Sequence, residues 1–271
     1  MDLHIIVFCC LAIGAFAGFL GGLLGIGGGI VVVPALVFLF DFFDLFPQPE
    51  YPENTAILMV LGTSLGSIIF TASSSSFAQW RKKAIDWTIV KSWIVYLVGG
   101  AFLASFIATS LPSGFVKLFI GIFITLVAMT VLFEISPNPE RKHPNRFYTA
   151  IMASIGGVIC GLAGIGGGNV VIPTLLFFNT QLVRAMSAAS TMGMAIALSG
   201  SLGYILAGLE AEIPNSIGYI YLPAVIPLAV SCTIFAYFGV QVAHKINATI
   251  LRKVFGILML IVAARMVYSA V

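Results

Sequence analysis

The sequence predicts an all-α, polytopic membrane protein that consists of two inverted-topology repeats, each with five hydrophobic segments. One basis is composition: 60% of the 271 residues are hydrophobic and 8% are charged, whereas a soluble domain carries about 25% charged residues. Long apolar stretches also recur along nearly the whole chain. They are continuous and do not alternate with a period of two, which favours spanning helices over a β-barrel. A third basis is an internal repeat.

The apolar stretches divide into ten segments, five in each half of the chain. In the first half the segments cover residues 3–24, 28–46, 54–78, 86–110 and 113–134. In the second half they cover residues 146–164, 168–179, 182–208, 216–243 and 247–269. Most of them are long enough to cross the hydrocarbon core as a helix, which takes about 20 residues.

The internal repeat is clearest in two glycine-rich stretches, GLLGIGGGIVVVP at 22–34 and GLAGIGGGNVVIP at 161–173. Two further pairs of similar stretches are VLGTSLGSIIF (60–70) with AASTMGMAIAL (188–198), and SGFVKLFIGIFI (113–124) with ATILRKVFGILM (248–259). These pairs divide the chain into an N-terminal repeat (1–135), a linker (136–146) and a C-terminal repeat (147–271).

The number of segments predicts how the two repeats are oriented. Because five is odd, the second repeat enters the membrane from the opposite side, so the repeats are inverted about an axis in the membrane plane. Threading the chain this way separates the charges. One side receives Arg81, Lys82, Lys83, Lys91, Arg141, Lys142, Arg146, Arg184, Lys245, Arg252 and Lys253. The other side receives Asp2, Asp41, Asp44, Glu50, Glu53, Glu210 and Glu212.

The separated charges give the orientation in the membrane. Basic loops face the cytoplasm, so the linker is expected to be cytoplasmic and both termini outside the plasma (inner) membrane. Lys117 and Arg265 are the two basic exceptions.

The glycine runs are not nucleotide-binding loops. A dinucleotide fingerprint would need glycine where Ile30 and Asn169 stand, and no G-K-[ST] follows either run. Each run is instead expected to break its helix, so that the next segment begins a new helix with free backbone N–H groups that favour an anion. Inverted symmetry would bring both breaks together near the midplane. The candidate substrate-binding residues here are Gly27, Gly28, Gly29, Gly166, Gly167 and Gly168.

An alternative for the glycines is that they only permit close crossing of helices. Other polar residues lie in positions from which they can reach the same ligand. These candidates are Thr63, Ser64, Ser190, Thr191, Asn169 and Arg184. The hydroxyl groups can donate to an oxyanion or bond back to the preceding helical turn. Asn169 can donate an amide N–H or cap its helix, and Arg184 can attract an anion or simply anchor the cytoplasmic side.

The paired GxGGGxxxxP motifs, the TS or ST dipeptide after each and the basic WRKKAIDW stretch after the third segment resemble the TauE/SafE family of sulfite and organosulfonate exporters. The resemblance covers both halves. It implies export of a sulfur-containing anion such as sulfite, sulfoacetate or thiosulfate. Asn169 departs from the pattern, because the matching residue in the first motif is the apolar Ile30.

The remaining observations limit the class of function. No acidic residue lies near a segment centre, the three histidines lie at segment ends, and no residues have the spacing of a metal site or a catalytic triad. The sequence therefore predicts a transporter without a cofactor, a metal or a nucleic-acid partner, which binds a small anion within the lipid bilayer and works by alternating access; the resemblance implies that this anion contains sulfur. The alternatives are an anion channel and a membrane-embedded enzyme or redox subunit.

Overall fold

A computed structural model describes residues 3–24, 28–47, 50–81, 83–132, 145–243 and 248–268. Within these ranges the chain forms ten α-helices and one short β-hairpin. The helices of the first half are α1 (Leu3–Leu24), α2 (Gly29–Phe42), α3 (Thr55–Arg81), α4 (Trp87–Thr109) and α5 (Ser113–Leu132). Those of the second half are α6 (Arg146–Ala163), α7 (Gly168–Phe177), α8 (Leu182–Ala207), α9 (Leu222–Ala243) and α10 (Ala248–Tyr268). Most of the predicted linker, 136–144, lies outside the described residues.

The prediction of an all-α polytopic membrane protein is confirmed. Seven helices in the described part are long and apolar enough to cross a membrane. Helices α2 and α7 have 14 and 10 residues, so they extend only about 21 and 15 Å. Each is too short to cross a hydrocarbon core of about 30 Å alone.

The predicted segment 216–243 is wrong at its beginning. The structure forms a hairpin there, in which β1 (Ser216–Ile217) pairs antiparallel with β2 (Ile220–Tyr221), and α9 begins only at Leu222. Asn215 and Gly218 have left-handed backbone, with φ of 58° and 56°. A right-handed helix cannot continue through such residues, although the apolar composition of the stretch resembles a helix.

Packing between the helices is reciprocal. Helix α1 packs on α9. Its counterpart in the second half, α6, packs on α4, which is the counterpart of α9. The third helices, α3 and α8, pack on each other, and so do the last helices, α5 and α10. Exchanging each helix for its counterpart therefore leaves the main contacts unchanged, as related halves require. The inverted orientation of the two repeats stays a prediction.

Glycines permit the close approach of both reciprocal pairs. A Cβ atom at Gly18 of α1 would lie 2.6 Å from Cys232 Cα of α9. In the α4–α6 pair, a Cβ atom at Gly100 would lie 2.9 Å from Val158 N, and one at Gly157 would lie 3.0 Å from Leu97 Cα. Such distances leave no room for a side chain, so the backbones of these helices touch.

Polar contacts define two ends of the helix bundle. At the acidic end, Lys117 Nζ lies 3.0 Å from Asp41 Oδ2, and Ser113 donates to Glu53 at 2.9 Å. At the basic end, Arg184 lies 3.9 Å from Asp86. The pair with Asp41 accounts for Lys117, one of the two basic exceptions on the acidic side. The second exception, Arg265, stacks 4.3 Å from the centre of the Phe38 ring.

Two adjacent glycines of α4 test the packing. We expect Gly100→Ala to lower the melting temperature of the detergent-purified protein, because the new methyl group meets the α6 backbone. Gly99 has open space around it, so Gly99→Ala should preserve or raise stability, since alanine favours a helix by about 1 kcal/mol over glycine. Equal melting temperatures for the two variants would contradict a direct backbone contact at Gly100.

Candidate functional site

The second glycine run ends one helix and starts another inside the protein. Helix α6 is followed by Gly164 in a left-handed conformation with φ of 64°. Ile165 N then donates back to Cys160 O at 3.0 Å, the reverse turn with which glycine ends many helices. Helix α7 begins at Gly168 after Gly167 as its N-cap. Residues 164–167 are buried, so this irregular backbone is shielded by protein, as membrane depth demands.

The first glycine run lies between α1 and α2, and residues 25–27 of it are outside the described ranges. Helix α1 ends at Leu24, and α2 begins at Gly29 with Gly28 as N-cap. Gly28 and Gly29 are buried. A Cβ atom at Gly28 would lie 2.9 Å from Ala17 O of α1, so this glycine serves close packing, the alternative role considered for the motif. The candidate Gly27 lies outside the described residues.

The two runs meet. A Cβ atom at Gly29 would lie 3.2 Å from Ile165 Cα and 3.4 Å from Gly166 N. The beginning of α2 therefore faces the break that precedes α7, with no space for a side chain between them. Residues that are far apart in sequence thus form one region, which we call the glycine junction: residues 28–30 and 164–169.

Backbone groups at the glycine junction lack the partners that a helix interior provides. The amides of the third and fourth residues of each short helix reach the N-cap carbonyl: Val31 and Val32 donate to Gly28 O, and Val170 and Val171 to Gly167 O. The amides of the first two residues of each helix have no acceptor within the described ranges. These amides belong to Gly29, Ile30, Gly168 and Asn169. A buried N–H group without an acceptor is costly, so these donors are available to a ligand or to water.

Proline adds to the same effect and explains the motif's last position. Pro34 and Pro173 lie inside α2 and α7, each four residues after the helix's second residue. Proline has no N–H group, so the carbonyl groups of Ile30 and Asn169 cannot receive the usual helical bond. Each glycine-to-proline motif therefore specifies a helix whose first turn has free backbone groups.

Asn169 is the most unusual side chain at the junction. It is 5% exposed, and neither Oδ1 nor Nδ2 has a hydrogen-bond partner among the described residues. A buried amide without partners costs about 1–3 kcal/mol, so a group that bonds to it would stabilise the protein. Its counterpart Ile30 is equally buried and apolar. The junction is therefore polar on the α7 side and apolar on the α2 side.

The third helices form the walls of the junction, a role that the sequence analysis missed. Ile68 of α3 approaches both Gly29 and Gly166, whereas Ile196 and Gly193 of α8 approach Gly167. Ile68 and Ile196 occupy the same place in the paired stretches VLGTSLGSIIF and AASTMGMAIAL. Aligning the two repeats position by position is the sequence comparison that identifies Ile68 and Ile196.

Two of the predicted hydroxyl residues form hydrogen bonds that connect α3 to the segments around the junction. Ser64 Oγ donates to Gly164 O at 2.8 Å, which ties α3 to the break of the other half. Thr63 Oγ1 accepts from Tyr221 N at 2.9 Å, which ties α3 to the hairpin. Both residues are fully buried. The proton of Ser64 is thus committed to the backbone, so Ser64 shapes the site and does not donate to an anion in this state.

The other predicted hydroxyls lie along α8 towards the basic end. Ser190 and Thr191 bond back to Met186 O and Ser187 O, at 2.9 and 3.1 Å. Thr191 also accepts from Ser76 Oγ at 3.2 Å, and Ser187 Oγ donates to Gln79 at 3.1 Å. Ser76, Gln79, Ser187 and Thr191 form a polar seam between α3 and α8.

Arg184 lies at the far end of this seam, away from the junction. From Gly193 beside the break to Arg184, α8 rises about 14 Å. The Arg184 side chain is 60% exposed and faces Asp86. The structure therefore separates Arg184 from the glycines and places it at the basic surface.

Towards the acidic end the junction is covered by apolar and aromatic side chains. Leu61 of α3 packs against Gly164, and Tyr204 OH donates to Gly161 O at 3.1 Å. Beyond them, four rings make edge-to-face contacts with centroids 5.5–6.0 Å apart. This aromatic cluster consists of Phe40, Phe46, Tyr51 and Tyr221. The junction is thus bordered by a polar seam on one side and by an apolar layer on the other.

Comparison with known proteins identifies the family. The family described as sulfite exporter TauE/SafE matches residues 10–266. The chain belongs to the TauE/SafE family. A probable membrane transporter protein of Haemophilus influenzae is 29% identical over 266 residues, which cover 96% of this chain and 97% of the relative.

Two further relatives have the same description. A probable membrane transporter protein of Methanocaldococcus jannaschii is 29% identical and covers 89% of this chain and 88% of its own length. One of Bacillus subtilis is 27% identical and covers 96% and 97%. No solved structure matches the chain significantly. The protein is therefore a multi-pass membrane transporter of the TauE/SafE type.

The buried amide of Asn169 predicts an unusual effect on stability. We expect Asn169→Val to raise the melting temperature of the protein without ligand, because it removes two unsatisfied polar atoms that together cost about 1–3 kcal/mol. Thr180→Val is the matched variant: Thr180 Oγ1 is also buried without a partner in the described ranges, at the other end of α7, and its loss should stabilise too. A large drop in melting temperature for Asn169→Val and not for Thr180→Val would mean that the side-chain amide of Asn169 is already hydrogen-bonded in the protein without ligand.

Proposed function

We propose that this TauE/SafE transporter exports a small, singly charged sulfur oxyanion, such as hydrogen sulfite or a simple sulfonate, which binds at the glycine junction. The observation that carries the proposal is the 5% exposed side-chain amide of Asn169, which has no hydrogen-bond partner among the described residues, beside four backbone amides that have no acceptor within the same ranges. Together they form a buried set of neutral donors. An oxyanion supplies the hydrogen-bond acceptors that these groups lack. The family description, sulfite exporter, is the reason to propose that this oxyanion contains sulfur.

The electrostatics of the junction support a single negative charge. Each helix N-terminus carries about half an elementary positive charge, and α2 and α7 both begin here. Both ends favour an anion, and the negative C-terminal end of α6 at the same junction offsets part of their positive charge. For a dianion the desolvation cost rises about fourfold while the attraction to a fixed charge only doubles. The site is therefore expected to favour hydrogen sulfite and sulfonates over thiosulfate and sulfate.

The lengths of the short helices support a site near the midplane. If α2 enters from the acidic end and α7 from the basic end, they add up to about 36 Å, close to the thickness of the bilayer. Their facing N-termini then lie between the two surfaces. Discontinuous helices that meet in this way are typical of inverted-repeat transporters.

The surroundings of the junction support a carrier that moves the anion outwards. The polar seam leads towards the basic end, which we take as cytoplasmic, whereas the aromatic cluster lies between the junction and the acidic end. Release then requires the aromatic cluster to open, which is the other half of an alternating-access cycle. The membrane potential, negative inside, drives an anion out without a coupled proton. We expect a carrier and not a channel, because in this cycle the apolar layer separates the junction from the acidic surface, and nothing in the cycle requires a catalytic step.

A binding experiment tests the site and its charge preference together. We expect methanesulfonate to raise the melting temperature of the detergent-purified protein by mass action. Sulfate has a similar shape and one more charge, and it should bind at least about tenfold more weakly, which is 1.4 kcal/mol. Asn169→Val should weaken methanesulfonate binding about 2- to 13-fold, the value of one neutral hydrogen bond.

Thr180→Val is the control, since it changes a buried polar residue that follows the C-terminal end of α7 and lies outside the junction. If Asn169→Val and Thr180→Val weakened methanesulfonate binding equally, the glycine junction would not be the binding site. Equal affinity for sulfate and methanesulfonate would leave the site in place and overturn only the charge preference. Uptake of labelled methanesulfonate into proteoliposomes would then establish transport.

Labelling tests the orientation. Lys83→Cys and Glu210→Cys place exposed thiols at the basic and acidic ends. In intact cells, a membrane-impermeant maleimide should react with the cysteine at 210 and not with the one at 83. The chain without either substitution controls for its own four cysteines, of which Cys10, Cys160 and Cys232 are buried. Reaction at both positions from outside would contradict the proposed topology.

A further inference from the structure

A groove at the basic end lies away from the glycine junction. It runs between the start of α4 and the start of α6 and has a volume of about 720 Å³. Its lining includes Trp87, Lys91, Trp93, Tyr96, Arg146 and Thr149. We call it the α4–α6 groove. Both helices are candidate membrane spans, so the groove opens where the protein meets the headgroup region of the bilayer.

Two positive charges line this groove without a partner. Lys91 and Arg146 are exposed, and neither forms an ion pair with a carboxylate in the described part of the chain. The nearby Asp86 is occupied, because it caps α4 by accepting from the amides of Thr88 and Ile89 and also faces Arg184. Two cations that share a groove repel each other, so this arrangement is complementary to an anion.

The groove changes from polar to apolar along α4. Trp87 is the first residue of α4 and is half exposed, as suits a tryptophan at a membrane interface. Lys91 lies one turn further. Val95 and Tyr96 follow at about 12–14 Å from the helix start, and they are 69% and 41% exposed. A ligand that fits has an anionic group at the surface and a hydrocarbon chain that extends into the membrane.

We propose that the α4–α6 groove binds an anionic phospholipid of the cytoplasmic leaflet. The phosphate group lies between Lys91 and Arg146, and an acyl chain extends over Val95 and Tyr96. Basic pockets between membrane helices are suited to such headgroups, and each nearby cation contributes about a fivefold preference for an anionic lipid. Because α6 extends from the α4–α6 groove to the glycine junction, the bound lipid also stabilises the α6 side of the glycine junction.

The tryptophans of the chain provide a direct probe. Only three are present, Trp80, Trp87 and Trp93, and the last two line the groove. In a Trp80→Phe background, the protein is placed in phosphatidylcholine vesicles that contain either brominated phosphatidylglycerol or brominated phosphatidylcholine. Bromine quenches tryptophan fluorescence on contact, so the ratio of quenching gives the relative affinity of the groove for the anionic lipid.

We expect the brominated phosphatidylglycerol to be preferred at least about fivefold, and the Lys91→Gln, Arg146→Gln double variant to reduce the preference to about one. The control is Arg81→Gln, Lys83→Gln, which removes the same charge from the same end but outside the groove. Near-ultraviolet circular dichroism checks that each variant is folded.

Three results would overturn the proposal. The first is equal quenching by both lipids in the starting protein. The second is an equal loss of preference in the control, which would indicate general attraction to the basic end. The third is an absence of quenching by either lipid, which would indicate that a protein surface, such as a second copy of the chain, covers the groove. A preference lost only in the groove variant supports the lipid site.

Discussion

The requirement that every backbone polar group be satisfied in lipid governs this structure. A helix satisfies its own groups, and a break leaves them free at a depth where water is absent. This chain has a glycine run at two such places, and the described residues 28–29 and 164–167 are buried, with contacts between the two runs and with α3 and α8. Ser64, from α3, bonds directly to the carbonyl group of Gly164. The third helices are therefore supports for the breaks as much as membrane spans.

The reciprocal helix pairs keep this arrangement rigid. Helices α1 and α9, and likewise α4 and α6, touch through glycine backbones, so the helix before each break is fixed to the other half of the molecule. Without a hydrophobic force between helices in lipid, such close packing supplies much of the association. A movement that opens the junction must therefore shift a glycine-packed pair as a unit, which favours motion of whole helix pairs over bending within one.

Much of the fold follows from the sequence because membrane helices depend mainly on local composition. The bounds of α1, predicted as 3–24, are those of the structure. The hairpin at 216–221 was missed because its apolar residues resemble a helix, and only the backbone at Asn215 and Gly218 reveals the turn. The partner of Ser64 lies 100 residues away, and no local pattern predicts such a contact. Asn169 is a candidate from the sequence because the matching residue of the first motif is the apolar Ile30, and its role at the junction stays a prediction.

A transporter must release what it binds, and the chemistry of the junction suits that need. Its donors are neutral: the amides of Gly29, Ile30, Gly168 and Asn169, and the side-chain amide of Asn169. If each is worth about 1 kcal/mol net, five donors give about 5 kcal/mol, which corresponds to a dissociation constant of about 0.2 mM. A buried lysine or arginine in their place would hold an anion more tightly and slow its release. Two helix N-termini and one side-chain amide therefore bind an oxyanion with enough affinity for selectivity, and weakly enough for its release.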